Sequence, residues 1–590
     1  MAVSSSSSSA HANALPESGA VSLDGVENIR GARGVTPRVV LLCLGLAFFF
    51  GYIIPVIDVR MANTFLGAAH LPPGAIGALL VLLLIVNPLL RLVSKRLAFS
   101  RNEVLTVYIT TLFSALVPGH GSENFFIGQI LGPFYFATRE NKWLEFLQPY
   151  VKPWMTPALN ADGSYNRTLV ETWYTGSETI PWAAWIIPLV AWGTLIFVSY
   201  FMLGCLSVIL RAQWSDREAL AFPLLKLPLQ MTEDVDHAEQ FGVLGRFFRN
   251  PLMWIGFGIG VFVQLMNGLH YYYPDVPSVP LEITGNFFTE APLNQVGWLP
   301  FKVWPIVVGV TFLLTSEISF SLWFFFLFLK FQLVAAYVMG FNPSTLPNLV
   351  GHVAGAKNFN GYQQIGAYLA YVAIVLWTGR EHFKYVARRG LGLEKRTDAE
   401  RLEPLSYPVA FWGFILSFAF MVAWSTAAGM RPDVALYLWG MYLVIAIALT
   451  RVIAEGGVLF VQQGWVPLGA ITQIVGGGPG TWMAPSSVVP GSFIQAAMMT
   501  DMRGFIMPSF VQGFKLARDR NISTRPLMAL IMAVIAISLC MGIYMNTKAG
   551  YQHGGLTLEG WFAQGGAKGP ANNSSSLVAG VPDVNKGNVG

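Results

Sequence analysis

The chain has 590 residues, of which 54% are hydrophobic and only 12% charged, and its formal net charge is +5. A soluble protein of this length carries about twice that charged fraction. Together with a mean hydropathy of +0.52, this excludes a soluble globular protein and indicates an all-α polytopic integral membrane protein. The small net charge gives no indication of a nucleic-acid partner.

The three cysteines, Cys43, Cys205 and Cys540, all lie within apolar runs. In such surroundings a thiol acts as a small hydrophobic side chain. The sequence therefore predicts no disulfide framework, no metal site and no cofactor.

Residues 1–36 open with a serine run and are poor in large apolar side chains, so we expect a disordered tail. Arg30, Arg33 and Arg38 precede the first apolar segment and place this tail in the cytoplasm, since basic residues mark cytoplasmic loops. The expected location is the inner membrane of a prokaryotic cell.

Apolar segments that can cross a membrane core follow along the chain. Residues 303–340 are too long for one pass and are divided at Thr315-Ser316-Glu317 into two helices. A membrane domain over 37–546 with about 11 to 13 spans results, depending on residues 451–504. The segments lie at about 38–57, 75–94, 103–118, 181–210, 252–272, 303–340, 363–378, 407–428, 433–450 and 526–546.

The connections alternate in charge. Residues 379–406 form the most basic loop and are expected in the cytoplasm, whereas residues 271–300 contain no lysine or arginine and are expected outside. The region 119–180 is then an outer loop. Residues 547–590, rich in Gly, Asn and Ser, are expected to be a second disordered tail.

Residues 451–504 combine apolar sequence with glycine and proline breaks and with charge. A bilayer offers no partner to a freed backbone amide, so irregular chain at membrane depth survives inside protein or along a water-filled cavity. Because basic residues mark both ends, the stretch is expected to enter and leave on the same side, as a re-entrant element or a helical hairpin. We expect it to line a substrate path.

Charged groups inside apolar runs cost several kcal/mol unless they are paired or wetted, so each is a candidate. Arg451 and Glu455 are four residues apart and would share a helix face, where the carboxylate can bind and release a proton. The alternative is a structural ion pair. The candidates for a substrate or proton path are Arg451, Glu455, Gly456, Gly457, Asp501, His120, Glu123, Glu317 and Lys330.

Structural interpretations stand beside the functional one for several of these residues. Lys330 can extend to an interface, Glu317 can lie in an aqueous turn, and His120 can bond a freed carbonyl. Two Val-Pro-Gly triplets, at 117–119 and 489–491, each precede an apolar run and suggest two related halves.

The step Leu220-Ala221-Phe222-Pro223 resembles the Leu-x-Phe-Pro element of the oligopeptide transporter family. Together with residues 451–457, it looks like a group of uncharacterised prokaryotic membrane proteins related to that family. The resemblance implies a proton-coupled carrier of small peptides or metal chelates, built from two related halves around a central cavity.

Three functions remain open at this stage. The leading hypothesis is a secondary transporter for a small polar solute, and no nucleotide-binding loop is visible. The first alternative is a non-catalytic subunit that scaffolds a membrane complex or a homo-oligomer. The second is an intramembrane enzyme, although no His-Glu-x-x-His or other catalytic motif is present.

Overall fold

The structure is a computed structural model that describes residues 34–62, 65–119, 125–237, 240, 242, 244–340 and 359–579. Over these ranges it is helical apart from one antiparallel hairpin, in which β1 (Glu282–Gly285) pairs with β2 (Leu299–Lys302). Eight of the described helices are long and apolar enough to cross a membrane. The all-α polytopic membrane fold expected from the composition is confirmed.

Prolines and polar caps start many of the helices. Pro37 and Pro251 occupy first helical positions, and Ser100 caps its helix in a capping box with Glu103. The helices of the first half are α1 Pro37–Ile54, α2 Pro73–Val81, α3 Asn87–Val93, α4 Arg101–Leu116, α5 Phe126–Tyr135, α6 Trp143–Leu147, α7 Arg167–Thr175, α8 Trp182–Arg211, α9 Lys226–Met231 and α10 Pro251–Tyr272.

The same rule holds in the second half, where Pro432, Pro467 and Pro485 each begin a helix. The helices are α11 Pro305–Thr311, α12 Ser316–Val338, α13 Phe359–Thr378, α14 Arg380–Gly390, α15 Asp398–Arg401, α16 Tyr407–Ala427, α17 Pro432–Gly456, α18 Pro467–Val475, α19 Pro485–Met499, α20 Met507–Asp519, α21 Thr524–His553 and α22 Gly569–Ala579.

The core combines helices from both halves of the chain. The long helix α8 packs against α16 and α20, while α1 packs against α4 and α21. Trp185, Trp192 and Trp439 are fully buried among them. In contrast, α10 and α12 keep nearly all of their apolar side chains at the surface, which is typical of helices that face lipid.

Within the described ranges, eight of the segments predicted to span form long apolar helices, and the others form shorter or more polar helices. Residues 303–340 give one long helix, α12, because α11 has only seven residues. The segment at 103–118 forms α4, which is 16 residues long and almost wholly buried. Residues 451–504 contain the end of α17 and the short helices α18 and α19, which have nine and 15 residues.

Several regions expected to be loops or tails are helical. The region 119–180 contains α5, which is buried along most of its length, and the basic region 379–406 contains α14 and α15. The predicted C-terminal tail is wrong from residue 547 to residue 579: α21 continues to His553, and helical turns follow to the end of α22. Most of the N-terminal tail, residues 1–33, lies outside the described residues.

The two Val-Pro-Gly triplets occupy different local structures. Pro118 follows the end of α4, whereas Pro490 lies inside α19. The triplet therefore does not mark equivalent positions of two related halves.

Candidate functional site

The segments 215–228 and 451–457, far apart in the sequence, lie against each other. The backbone amide of Phe222 donates to the carbonyl oxygen of Ala454 over 3.0 Å. An added Cβ at Gly457 would come within 2.7 Å of Pro223 Cβ. The two short motifs singled out in the sequence thus form one contact, at the end of α17.

An unusual backbone path brings the first segment to this contact. The helix α8 passes into a π-helical turn over Ala212–Arg217, and the chain then reverses through Ala219 and Phe222. Both residues have positive φ angles, of 51° and 44°. Such angles are uncommon for residues other than glycine and persist where the surrounding structure holds them.

Arg451 is the centre of a charged group that we call the Arg451 cluster, formed by Arg451, Glu455, Glu218, Tyr371 and Trp214. Its guanidinium forms ion pairs with Glu218 and, over 3.3 Å, with Glu455. It also lies 5.5 Å from the ring centroid of Trp214, where a cation interacts favourably with the aromatic face. One cation is therefore shared between two carboxylates.

The two carboxylates differ in their surroundings. Glu455 remains 49% exposed in its side chain and accepts a hydrogen bond from the Tyr371 hydroxyl over 3.3 Å. Glu218 is mostly buried and accepts from Gln213 Nε2 over 2.8 Å. Glu455 is therefore accessible at the surface of the chain, while Glu218 is held in place by its neighbours.

Gly456 and Gly457 follow Glu455 at the end of α17 and lie near the start of α12. Gly457 ends α17 in the left-handed conformation, with φ of 61°, and lies beside Leu314 as well as Pro223. An added Cβ at Gly456 would lie 3.6 Å from Ile318 Cγ2, which is an ordinary contact distance. Glu317, the neighbour of Ile318, is exposed in the first turn of α12.

The remaining candidates have other partners or cannot be placed. The Lys330 ammonium donates to the carbonyl oxygens of Val296 and Trp298, over 2.8 and 3.2 Å. Asp501 pairs with Arg503 two residues later. His120 and Glu123 lie outside the described residues.

Sequence reasoning missed Glu218 and Tyr371. Glu218 lies two residues before the Leu220-Ala221-Phe222-Pro223 step. Its position beside that motif is the signal in the sequence that could have added Glu218 to the candidate residues. Tyr371 lies within the apolar run of α13, and nothing in that run distinguishes it from a lipid-facing tyrosine.

Comparison with known proteins identifies a family whose function is unknown. No curated protein matches the chain. A sequence profile matches residues 30–590, which include all the described parts of the Arg451 cluster. The chain therefore belongs to the family of unknown function DUF6785.

Proposed function

We propose that the chain is a secondary membrane transporter, coupled to protons, for a small polar solute such as a short peptide or a metal chelate. The observation that carries the proposal is the sharing of Arg451 between Glu218 and Glu455. Charged groups among membrane-spanning helices are rare, and they commonly mark the path of a substrate, an ion or a proton.

The arrangement can respond to a proton. When both carboxylates are ionised, they compete for one guanidinium, and protonation of either leaves the other with an undivided ion pair. Because Glu218 and Glu455 belong to different segments, the proton changes how tightly Arg451 joins those segments. That is the local change a transport cycle needs at a gate.

The chain after α17 forms two short helices, α18 and α19, joined by irregular segments, and polar side chains are buried among them. Buried glutamines supply partners to backbone groups that the breaks leave free. Gln495 accepts from the backbone amide of Leu468 over 2.8 Å, and Gln463 donates to the carbonyl oxygen of Met499. Irregular backbone of this kind is tolerated in a membrane when it is buried in protein or lines a cavity.

The resemblance of residues 220–223 and 451–457 to elements of the oligopeptide transporter family agrees with this proposal. We extend it to a location in the inner membrane of a prokaryotic cell, with the N-terminus in the cytoplasm. The basic residues of α14 and the connection after it support that orientation.

The test is uptake into proteoliposomes under an imposed pH gradient, screened with dipeptides and metal chelates. We expect the wild type to accumulate a solute only with the gradient, and Glu455→Gln to lose this accumulation because the amide cannot carry the proton. Exchange of the same solute at equal pH on both sides should persist in Glu455→Gln, since it needs no net proton movement.

Glu171→Gln is the matched control. Glu171 also forms an i,i+4 ion pair with an arginine, Arg167, but on the exposed face of α7 and away from the Arg451 cluster. The Glu171→Gln variant should accumulate solute as the wild type does. Gradient-driven accumulation by Glu455→Gln at the wild-type rate would contradict the proton role, and the absence of solute movement by the wild type across the panel would contradict transport of these solutes.

A further inference from the structure

A cavity of about 700 Å³ opens where α14, the connection to α16 and the start of α21 approach the middle of α8. Three guanidinium groups line it, from Arg389, Arg396 and Arg525. The lining also has an apolar part, which includes Phe201, Val409 and Met528. Its size is that of a site for a small molecule.

The charge in this cavity is not balanced by its own residues. Glu400 is buried and accepts from Arg389 Nε over 3.0 Å and from the backbone amide of Tyr407 over 3.2 Å. Arg396 and Arg525 are exposed, and neither forms an ion pair within the described ranges. The lining therefore offers two further guanidiniums to an anion, and a guanidinium suits the oxygen atoms of a phosphate.

The apolar side of the cavity continues onto the outer surface. Val409 lines the cavity and is 49% exposed, and beyond it on α16 the side chains of Trp412 and Leu416 are exposed as well. A ligand that fills the cavity would place an anionic group on the arginines and a hydrocarbon group along this face. A soluble anion would leave the apolar side uncovered.

We propose that this cavity binds an anionic phospholipid, with the phosphodiester on Arg396 and Arg525 and an acyl chain along Phe201, Val409 and Met528. Basic pockets between membrane helices at the interface are suited to such headgroups. The position fits, because the cavity lies at the ends of the apolar helices α16 and α21, next to the basic helix α14. This site is separate from the Arg451 cluster and does not depend on the transport proposal.

The test is thermal unfolding of the purified full chain in detergent, with phosphatidylglycerol or phosphatidylcholine added. We expect phosphatidylglycerol to raise the unfolding temperature of the wild type more than phosphatidylcholine does. The double variant Arg396→Gln/Arg525→Gln should bind phosphatidylglycerol at least roughly tenfold more weakly, since each hydrogen bond to a charged group contributes substantially to binding.

Arg388→Gln/Arg401→Gln is the charge-matched control. Both arginines are exposed at the same end of the molecule but do not line the cavity, so the response to phosphatidylglycerol should be unchanged. Val409→Trp keeps all three cavity arginines and obstructs the apolar side, and it should also weaken the response.

Three results would overturn the proposal. They are an equal response of the wild type and the Arg396→Gln/Arg525→Gln variant, an undiminished response of Val409→Trp, and stabilisation by inorganic phosphate alone that equals the effect of the lipid. The last result would assign the cavity to a soluble anion.

Discussion

At the scale of single residues, Gly457 holds the end of α17 against the segment 215–228. Its φ of 61° is strained for any residue with a side chain, and an added Cβ would lie 2.7 Å from Pro223 Cβ and 3.3 Å from Leu314 Cδ2. Gly456 differs on both counts, since its φ is ordinary and an added Cβ would meet Val458 at 3.5 Å.

We expect Gly457→Ala to lower the stability of the protein by about 1 to 2 kcal/mol from the backbone strain alone, with the steric clash adding to it. Gly456→Ala should have little effect, because alanine favours the helix and meets only ordinary contacts. The unfolding temperatures of the two variants in detergent measure the difference. Equal unfolding temperatures would show that the contact with Pro223 is not a constraint on this junction.

The Arg451 cluster shows how far single residues could be predicted. The four-residue spacing of Arg451 and Glu455 predicts one helix face, and the structure has them in contact. The partner Glu218 lies 233 residues earlier and reaches Arg451 only through the folded chain. No local pattern encodes such a pairing, so composition and spacing could name one carboxylate of the cluster and not the other.

At the scale of elements, the C-terminal region shows why composition failed. Residues 554–579 are rich in Gly, Ala, Asn and Ser, which is typical of a disordered tail. Small residues also let helical backbones approach closely within a membrane protein. Here the chain packs against α5: an added Cβ at Gly132 would lie 2.6 Å from both Cβ and the carbonyl oxygen of Ala567.

We expect Gly132→Ala to lower stability by about 1 to 3 kcal/mol, because the extra methyl group must displace the turn at Ala567. Gly569→Ala is the control, since an added Cβ there meets nothing within 4 Å. The comparison is made on unfolding temperature and on the rate of proteolysis within residues 554–579. If Gly132→Ala were as stable and as resistant as the control, the packing of this region on α5 would be contradicted.

At the scale of the whole molecule, the chain combines a buried bundle with a weakly packed arm. The arm is formed by α10, the β1–β2 hairpin, α11 and α12, and its two long helices bury almost no side chains. A helix that is apolar all round and still exposed needs lipid or another protein around it. Hydropathy predicted α10 at 252–272 and α12 after the division at Thr315-Ser316-Glu317, because both helices are apolar over a length that can cross a membrane.

Hydropathy was less informative where the helices are short or where polar side chains are buried inside the bundle. The nine residues of α18 and the 15 residues of α19 are too short to be found by the length of an apolar run, although Pro467 and Pro485 mark where the two helices begin. Length and apolarity identify helices that can cross a membrane, whereas the interior of this bundle also contains buried polar side chains.

The orientation that the distribution of basic residues predicts for the whole chain can be measured. Residues 271–300 lack lysine and arginine, whereas α14 and the connection after it are strongly basic, so the two should lie on opposite sides of the membrane. Cys43 and Cys205 are buried, so Cys540→Ser removes the exposed native thiol. Single cysteines can then be placed at the exposed positions Glu290 and Lys395.

In that background, Glu290→Cys should react with a membrane-impermeant maleimide in cells of a prokaryotic host whose inner membrane is intact. The reagent must first be able to reach the outer face of that membrane. Lys395→Cys should react only after the inner membrane is opened, because basic connections stay in the cytoplasm. Both should react equally in detergent, which checks that each thiol is accessible. Reaction of Lys395→Cys in intact cells would reverse the orientation and would move the basic helix α14 to the outer face.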